Sequence, residues 1–153
     1  MPGKLVVCPT PIGNLEDITL RVRRALYEAD VIACEDTRRT GLLLERLEIQ
    51  ALRLMSYHEG NEAERARELA QRIERGDNVA LVSDAGTPAI SDPGFRLIRA
   101  CIDRDLDIEV LPGPSSIITA LVVSGLPTHR FRYQGFLPGE PASWSASSSP
   151  PRP

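Results

Sequence analysis

Apolar residues in this chain fall into two alternating patterns. Short unbroken runs are separated by longer stretches in which apolar positions recur every three or four residues. The runs Leu5-Val6-Val7-Cys8, Val31-Ile32-Ala33-Cys34, Leu52-Arg53-Leu54-Met55, Val79-Ala80-Leu81-Val82 and Ile108-Glu109-Val110-Leu111 predict five strands. Between them the spacing predicts helices. One covers 18–28, with Asp17 as N-cap and Ile18, Val22, Ala25 and Leu26 on one side. A second covers Thr37–Leu47, with Leu43, Leu44 and Leu47 inward. A third covers 61–75, with Ala66, Leu69, Ala70 and Ile73 inward and Gly76 ending it. A fourth covers 93–103, with Pro93 in its first turn, and a largely apolar fifth covers 115–124. Strands without internal polar alternation, each followed by a helix, predict an α/β fold. It is a five-stranded, mainly parallel sheet with helices on both faces.

Composition bounds the rest. The chain has 153 residues, with 42% hydrophobic and 25% charged, ordinary for a globular α/β domain. That domain is expected over residues 1–129. Residues 130–138 are expected to form a linker strand. The Ser- and Pro-rich stretch from Gly139 to Pro153 is expected to be a disordered tail, because it has too little apolar surface to offset ordering entropy. Lys and Arg number 18 against 21 for Asp and Glu, so the net charge is -3. This excludes a strongly basic, autonomous nucleic-acid-binding domain; any RNA surface must be local or lie elsewhere. Cys8, Cys34 and Cys101 have no disulfide or zinc spacing and read as buried small hydrophobes in a reducing compartment. No signal-peptide pattern and no membrane-spanning run is present, so a cytoplasmic location and no membrane association are expected.

The residues with chemical potential gather in the loops after the predicted strands. These are Pro9-Thr10-Pro11-Ile12-Gly13-Asn14, Glu35-Asp36-Thr37-Arg38, Ser56-Tyr57-His58-Glu59-Gly60-Asn61, Ser83-Asp84-Ala85-Gly86-Thr87-Pro88 and Pro112-Gly113-Pro114-Ser115-Ser116. In a doubly wound sheet this is the ligand-binding edge. Gly and Ala allow close backbone approach to a ligand, and Pro stiffens a loop without needing its own N–H. There is no P-loop and no G-x-G-x-x-G after the first strand, so the usual phosphate and dinucleotide signatures are missing. His58 and His129 lack partners at metal-ligand spacing, and no metal is expected.

Taken together, Pro9–Leu15, Glu35–Arg38, Val82–Pro88 and Leu111–Pro114 resemble the motif set of the tetrapyrrole methylase superfamily. The version found here is similar to the branch that methylates 16S ribosomal RNA on a cytidine ribose 2′-oxygen. The resemblance runs from residue 4 to about 138. It implies S-adenosylmethionine as cofactor, a cleft between two α/β domains, 16S ribosomal RNA or the small ribosomal subunit as partner, and a homodimer. By motif, Pro11 would lie against the cofactor. Ala85, Gly86, Thr87 and Ile90 would hold it largely through backbone groups. Ser115 and Ser116 would add contacts, with Asp84 as a neighbour. The family pattern continues through a second domain where this sequence has its Ser/Pro tail, so weak cofactor binding and self-association are expected.

Methyl transfer to a ribose hydroxyl needs in-line placement and removal of a proton. Asp36 is the leading candidate base and Arg38 a candidate phosphate contact. His58 and Asn61 are candidate cleft residues. The bland alternative for Glu35, Asp36 and Thr37 is a helix start, where carboxylates complement the dipole. Two other readings stay open: a small-molecule, porphyrinoid-type methyltransferase of the same superfamily, and an inactive fragment.

Overall fold

Aliphatic runs buried on both sides form the strands they predict. The computed structural model of the chain describes residues 1–136. Its strands are β1 (Lys4–Val7), β2 (Val31–Cys34), β3 (Leu54–Ser56), β4 (Val79–Leu81) and β5 (Asp107–Val110). They form one sheet in the order β3-β2-β4-β1-β5, and every pairing is parallel. The register places Val6 opposite Ala80 on one side and Glu109 on the other. The inner strands β2, β4 and β1 are the continuous apolar ones. The edge strand β5 carries Asp107 and Glu109, as an edge partly open to water can tolerate.

The helices are α1 (Leu20–Glu28), α2 (Thr37–Arg46), α3 (Glu62–Glu74), α4 (Phe95–Ile102) and α5 (Ser116–Val123). Successive strand residues point to opposite faces, which splits the core in two. On one face Val22 and Leu26 of α1 and Leu44 and Leu47 at the end of α2 pack with Val6, Ile32 and Ala80. On the other, Leu69 and Ile73 of α3 and Leu97 and Cys101 of α4 pack with Leu5, Val7, Ala33 and Leu81. The inward positions read from the 61–75 periodicity, Ala66, Leu69, Ala70 and Ile73, are all buried. Cys8, Cys34 and Cys101 are buried free thiols. Among the described residues no helix is long and apolar enough to cross a membrane.

Three local expectations are corrected. Asp17 does not cap α1. Residues Leu15–Asp17 form a 3-10 turn, and Thr19 caps the helix, its side chain accepting from the Val22 N–H. Both residues are good caps; the turn takes up Asp17 and moves the start onward. Pro93 lies outside α4, which begins at Phe95 after Gly94. Residues 130–136 form no strand. Aromatics in that stretch supply β propensity, but a strand also needs a partner ladder. The tail from 139 and the last two linker residues lie outside the described residues. The sheet and its four flanking helices belong to a compact unit, Met1–Ser116; the chain from Ile117 onward is a second unit.

Candidate functional site

The strand order places β1 beside β4, and the helices that follow them leave for opposite faces of the sheet. Loops diverging in this way open a crevice at the carboxyl ends of the two strands. Here the two loops are joined. The backbones of Thr10 and Gly86 exchange both hydrogen bonds, Thr10 N to Gly86 O at 2.9 Å and Gly86 N to Thr10 O at 3.0 Å. The buried Thr10 hydroxyl donates to the Ser83 carbonyl at 3.0 Å, and the Ser83 hydroxyl donates to the Gly86 carbonyl at 3.2 Å. The Thr87 hydroxyl reaches the Pro114 carbonyl at 3.2 Å and ties in the loop after β5. Three of the motif loops therefore form one hydrogen-bonded floor.

The loop after β4 is held in unusual backbone geometry. Gly86 has φ +83°, Ala89 +67°, Ser91 +58° and Gly94 +150°. Left-handed backbone at a residue with a side chain costs about 1–2 kcal/mol, so Ala89 and Ser91 store strain. Such strain persists only where the surroundings over-determine it, and it clusters at ligand sites. Gly94 cannot carry a side chain, because a Cβ there would lie 2.9 Å from that of Ala89. The far end of the loop is pinned at α4, whose N-terminus has no cap of its own. Glu62 supplies one from α3. Its Oε1 accepts from Gly94 N at 3.1 Å and Arg96 N at 3.2 Å.

Beside this floor lies a group of charges. Asp84 Oδ1 accepts from the Asp36 backbone N–H at 3.3 Å, and its Oδ2 pairs with Arg39 Nη1 at 3.1 Å. Asp36 is the N-cap of α2: its Oδ1 accepts from Arg38 N at 2.8 Å and Arg39 N at 3.4 Å. The bond from the Arg38 N–H, joined by those from the Arg38 guanidinium and the Arg39 N–H, holds the Asp36 carboxyl below its ordinary value. Glu35 moves the other way: burial first, then the Asp84 and Asp92 charges, push it up. Asp92 is also raised, chiefly by burial and then by Asp84, with a Ser83 hydrogen bond partly opposing.

The remaining candidates are spread around this edge. Arg38 is highly exposed and makes a long 3.5 Å contact with Asp36 Oδ2. His58 and Asn61 close the turn between β3 and α3. The Asn61 Oδ1 accepts from His58 N at 2.8 Å, its Nδ2 donates to the Ser56 carbonyl at 3.2 Å, and His58 Nδ1 accepts from Gly60 N at 3.1 Å. Pro11 is half-buried, whereas Ala85 and Ile90 are exposed. Ser115 precedes α5 and Ser116 is its first residue. Sequence reasoning missed Thr10 as a tie, Arg39 as the partner of Asp84, and Glu62 as the cap of α4. Thr10 and Arg39 stand inside or next to quoted motifs, so their neighbourhood was a signal. Nothing near Glu62 in sequence announces partners at 94 and 96.

Comparison with known proteins places this geometry in context. Residues 4–148 match the family described as Tetrapyrrole (Corrin/Porphyrin) Methylases. A ribosomal RNA small subunit methyltransferase I from Hydrogenobaculum is 57% identical over 88% of this chain and 59% of its own length. One from Escherichia coli is 51% identical over 90% of this chain and 48% of its own length. The chain thus spans about half the length of the curated relatives it matches. Among solved structures, uroporphyrin-III C-methyl transferase from Thermus thermophilus complexed with S-adenyl homocysteine superposes with TM-score 0.58. It is 25% identical, covering 84% of this chain and 54% of that one. A conserved hypothetical protein from Aeropyrum pernix K1 superposes with TM-score 0.70 at 21% identity, over 86% of this chain and 46% of that one, and shares the fold.

Proposed function

The chain belongs to the tetrapyrrole (corrin/porphyrin) methylases, and on that premise we propose that it binds S-adenosylmethionine at the carboxyl edge of its sheet and serves the 2′-O-methylation of a cytidine in small-subunit ribosomal RNA. The observation that carries this reading is the joined floor of three loops, with Gly86 at its centre in left-handed backbone and lashed to Thr10. Such a floor suits the cofactor. Glycine and strained backbone leave room for a flat group, and peptide N–H and C=O groups can bind its polar edges without side-chain charge. Pro11, Ala85, Gly86, Thr87 and Ile90 would make the floor contacts, with Ser115 and Ser116 at one end and Asp84 at the other. When bound, the cofactor supplies an electrophilic methyl group on a sulfonium.

What the chain's residues contribute is placement and proton handling. Capping uses Asp36 Oδ1. Asp36 Oδ2, with only a long contact to Arg38, can accept a ribose hydroxyl proton. A carboxyl held low is a modest base, and in compensation it stays ionised at neutral pH. Arg38 is the proposed phosphate contact. Names of relatives that refer to ribosomal RNA favour RNA over a porphyrinoid substrate. Three buried free thiols fit the cytoplasmic location that goes with this substrate. A homodimer is part of the same proposal.

Calorimetry with S-adenosylmethionine and transfer of labelled methyl groups to small ribosomal subunits test this reading. Saturable cofactor binding and label in 16S RNA at a ribose are expected. Label on a porphyrinoid in place of RNA, or no cofactor binding, would sink it.

A further inference from the structure

α2 carries a second stripe that the core uses only in part, through the half-buried Leu43. Thr40 and Leu44 of this helix are buried. Arg39, Leu42, Leu43 and Arg46 recur at i, i+3, i+4 and i+7, which puts them on one other side of the helix. Leu42 is 59% exposed. Packing against the core accounts for Leu43 but not for the exposed Leu42, which stands between two guanidinium groups. Together with Pro11 and Asp84 this stripe lines a cavity of about 260 Å³. That is close to the lower end of the roughly 300–1,000 Å³ usual for small-molecule sites. Two of its walls, Pro11 and Asp84, also border the cofactor floor proposed above, so a group seated here faces the place where methyl transfer would occur. Charge is graded along the cavity. Arg39 is neutralised by Asp84 at 3.1 Å, whereas Arg46, one helical repeat away, has no ion pair among the described residues. The cavity therefore has a polar, neutralised end beside the loops, an apolar middle and a cationic far end.

We propose that this cavity seats one nucleotide of an RNA strand. In that arrangement Arg46 contacts a phosphate, Leu42 and Leu43 lie against the base, and the ribose points toward Asp84. An arginine at the far end matches phosphate geometry and charge. An apolar middle receives a flat base regardless of its identity, so the site positions the strand without reading its sequence. This assignment rests on the RNA reading above and adds a site to it.

Anisotropy of a labelled, cytidine-containing single-stranded RNA, measured with the full chain across a range of salt concentrations, tests the assignment. Arg46→Gln is expected to raise Kd several-fold and to lower the slope of log K against log salt by about 1. Leu42→Asp is expected to weaken binding as well. Arg67→Gln on α3, across the sheet, is expected to change neither quantity. Calorimetry of the same variants with S-adenosylmethionine should match the unsubstituted chain. RNA binding unmoved by Arg46→Gln and Leu42→Asp overturns the assignment, as does an unsubstituted chain that binds no RNA. Arg46-dependent binding of uroporphyrin in place of RNA overturns it too. Intact cofactor binding beside any of these results leaves the methyltransferase reading standing, whereas loss of cofactor binding by the unsubstituted chain removes that reading itself.

Discussion

The Tyr57 hydroxyl donates to Glu62 Oε1 at 3.0 Å, joining the start of the loop after β3 to the first turn of α3. The same phenol oxygen accepts from the Leu97 N–H at 3.2 Å, and the same carboxylate oxygen accepts from the Gly94 and Arg96 N–H groups. One buried phenol and one carboxylate thus satisfy three donors at the start of α4. They anchor the strained loop that ends at Gly94. Burial, followed by the Glu62 charge, pushes the Tyr57 phenol well above its ordinary value, so it remains a donor at any physiological pH.

Tyr57→Phe should therefore destabilise the fold by about 1–3 kcal/mol, because it strands the Leu97 N–H in a buried place. Glu62→Gln keeps an amide oxygen for Gly94 and Arg96 and should be milder than Glu62→Ala. Urea unfolding checks the order through shifts in midpoint at unchanged slope. Equal stability of Tyr57→Phe and the unsubstituted chain would show that water replaces the phenol without penalty.

Gly86→Ala should weaken S-adenosylmethionine binding and lower stability by about 1–2 kcal/mol, since alanine must take up φ +83°. The new methyl would also meet the Ile12 side chain at 3.4 Å, close to the cofactor floor. Calorimetry and denaturant melts on one preparation give both numbers. A variant with full cofactor affinity would remove Gly86 from the proposed contact surface.

Asp36 has two assigned tasks that substitution can separate. Asparagine caps helices about as well as aspartate but cannot accept a proton. Asp36→Asn should keep the thermal midpoint while methyl transfer to small ribosomal subunits falls about 10²–10⁴-fold. Asp36→Ala should lose both. Full transfer activity in Asp36→Asn would assign the residue to capping alone.

Glu35 sets a pH dependence whose sign follows from its raised pKa. In the window above the ordinary value of 4.5, the folded state holds this proton more tightly than the unfolded chain. Stability from this group is complete below that value and is lost as pH rises through the raised one. Glu35→Gln should remove this component, making the variant relatively more stable at neutral pH than at pH 4. Asp36 and Glu109, both lowered, act in the opposite direction and are unchanged by the substitution, so the difference between the two melting curves against pH isolates Glu35. A difference that does not change with pH would mean that burial and the neighbouring carboxylates do not act on it.

Periodicity by itself determined the five strands and five helices found among the described residues, but not the 130–136 stretch, which reads as a strand and forms none. The run Val79–Leu81 is a strand because every side chain in it is buried, and Ala66, Leu69, Ala70 and Ile73 face inward because they share one side of a helix. The motif loops were legible as well, since Gly and Pro mark chain that cannot continue a strand or helix. The tertiary structure decided how those loops are fastened. Glu62 caps a helix 32 residues onward, and Arg39 neutralises an aspartate 45 residues away. Local propensity acts over a turn or two of chain. These contacts follow from which parallel strands are neighbours and in what register, and that is settled only when the two halves of the core close on the sheet.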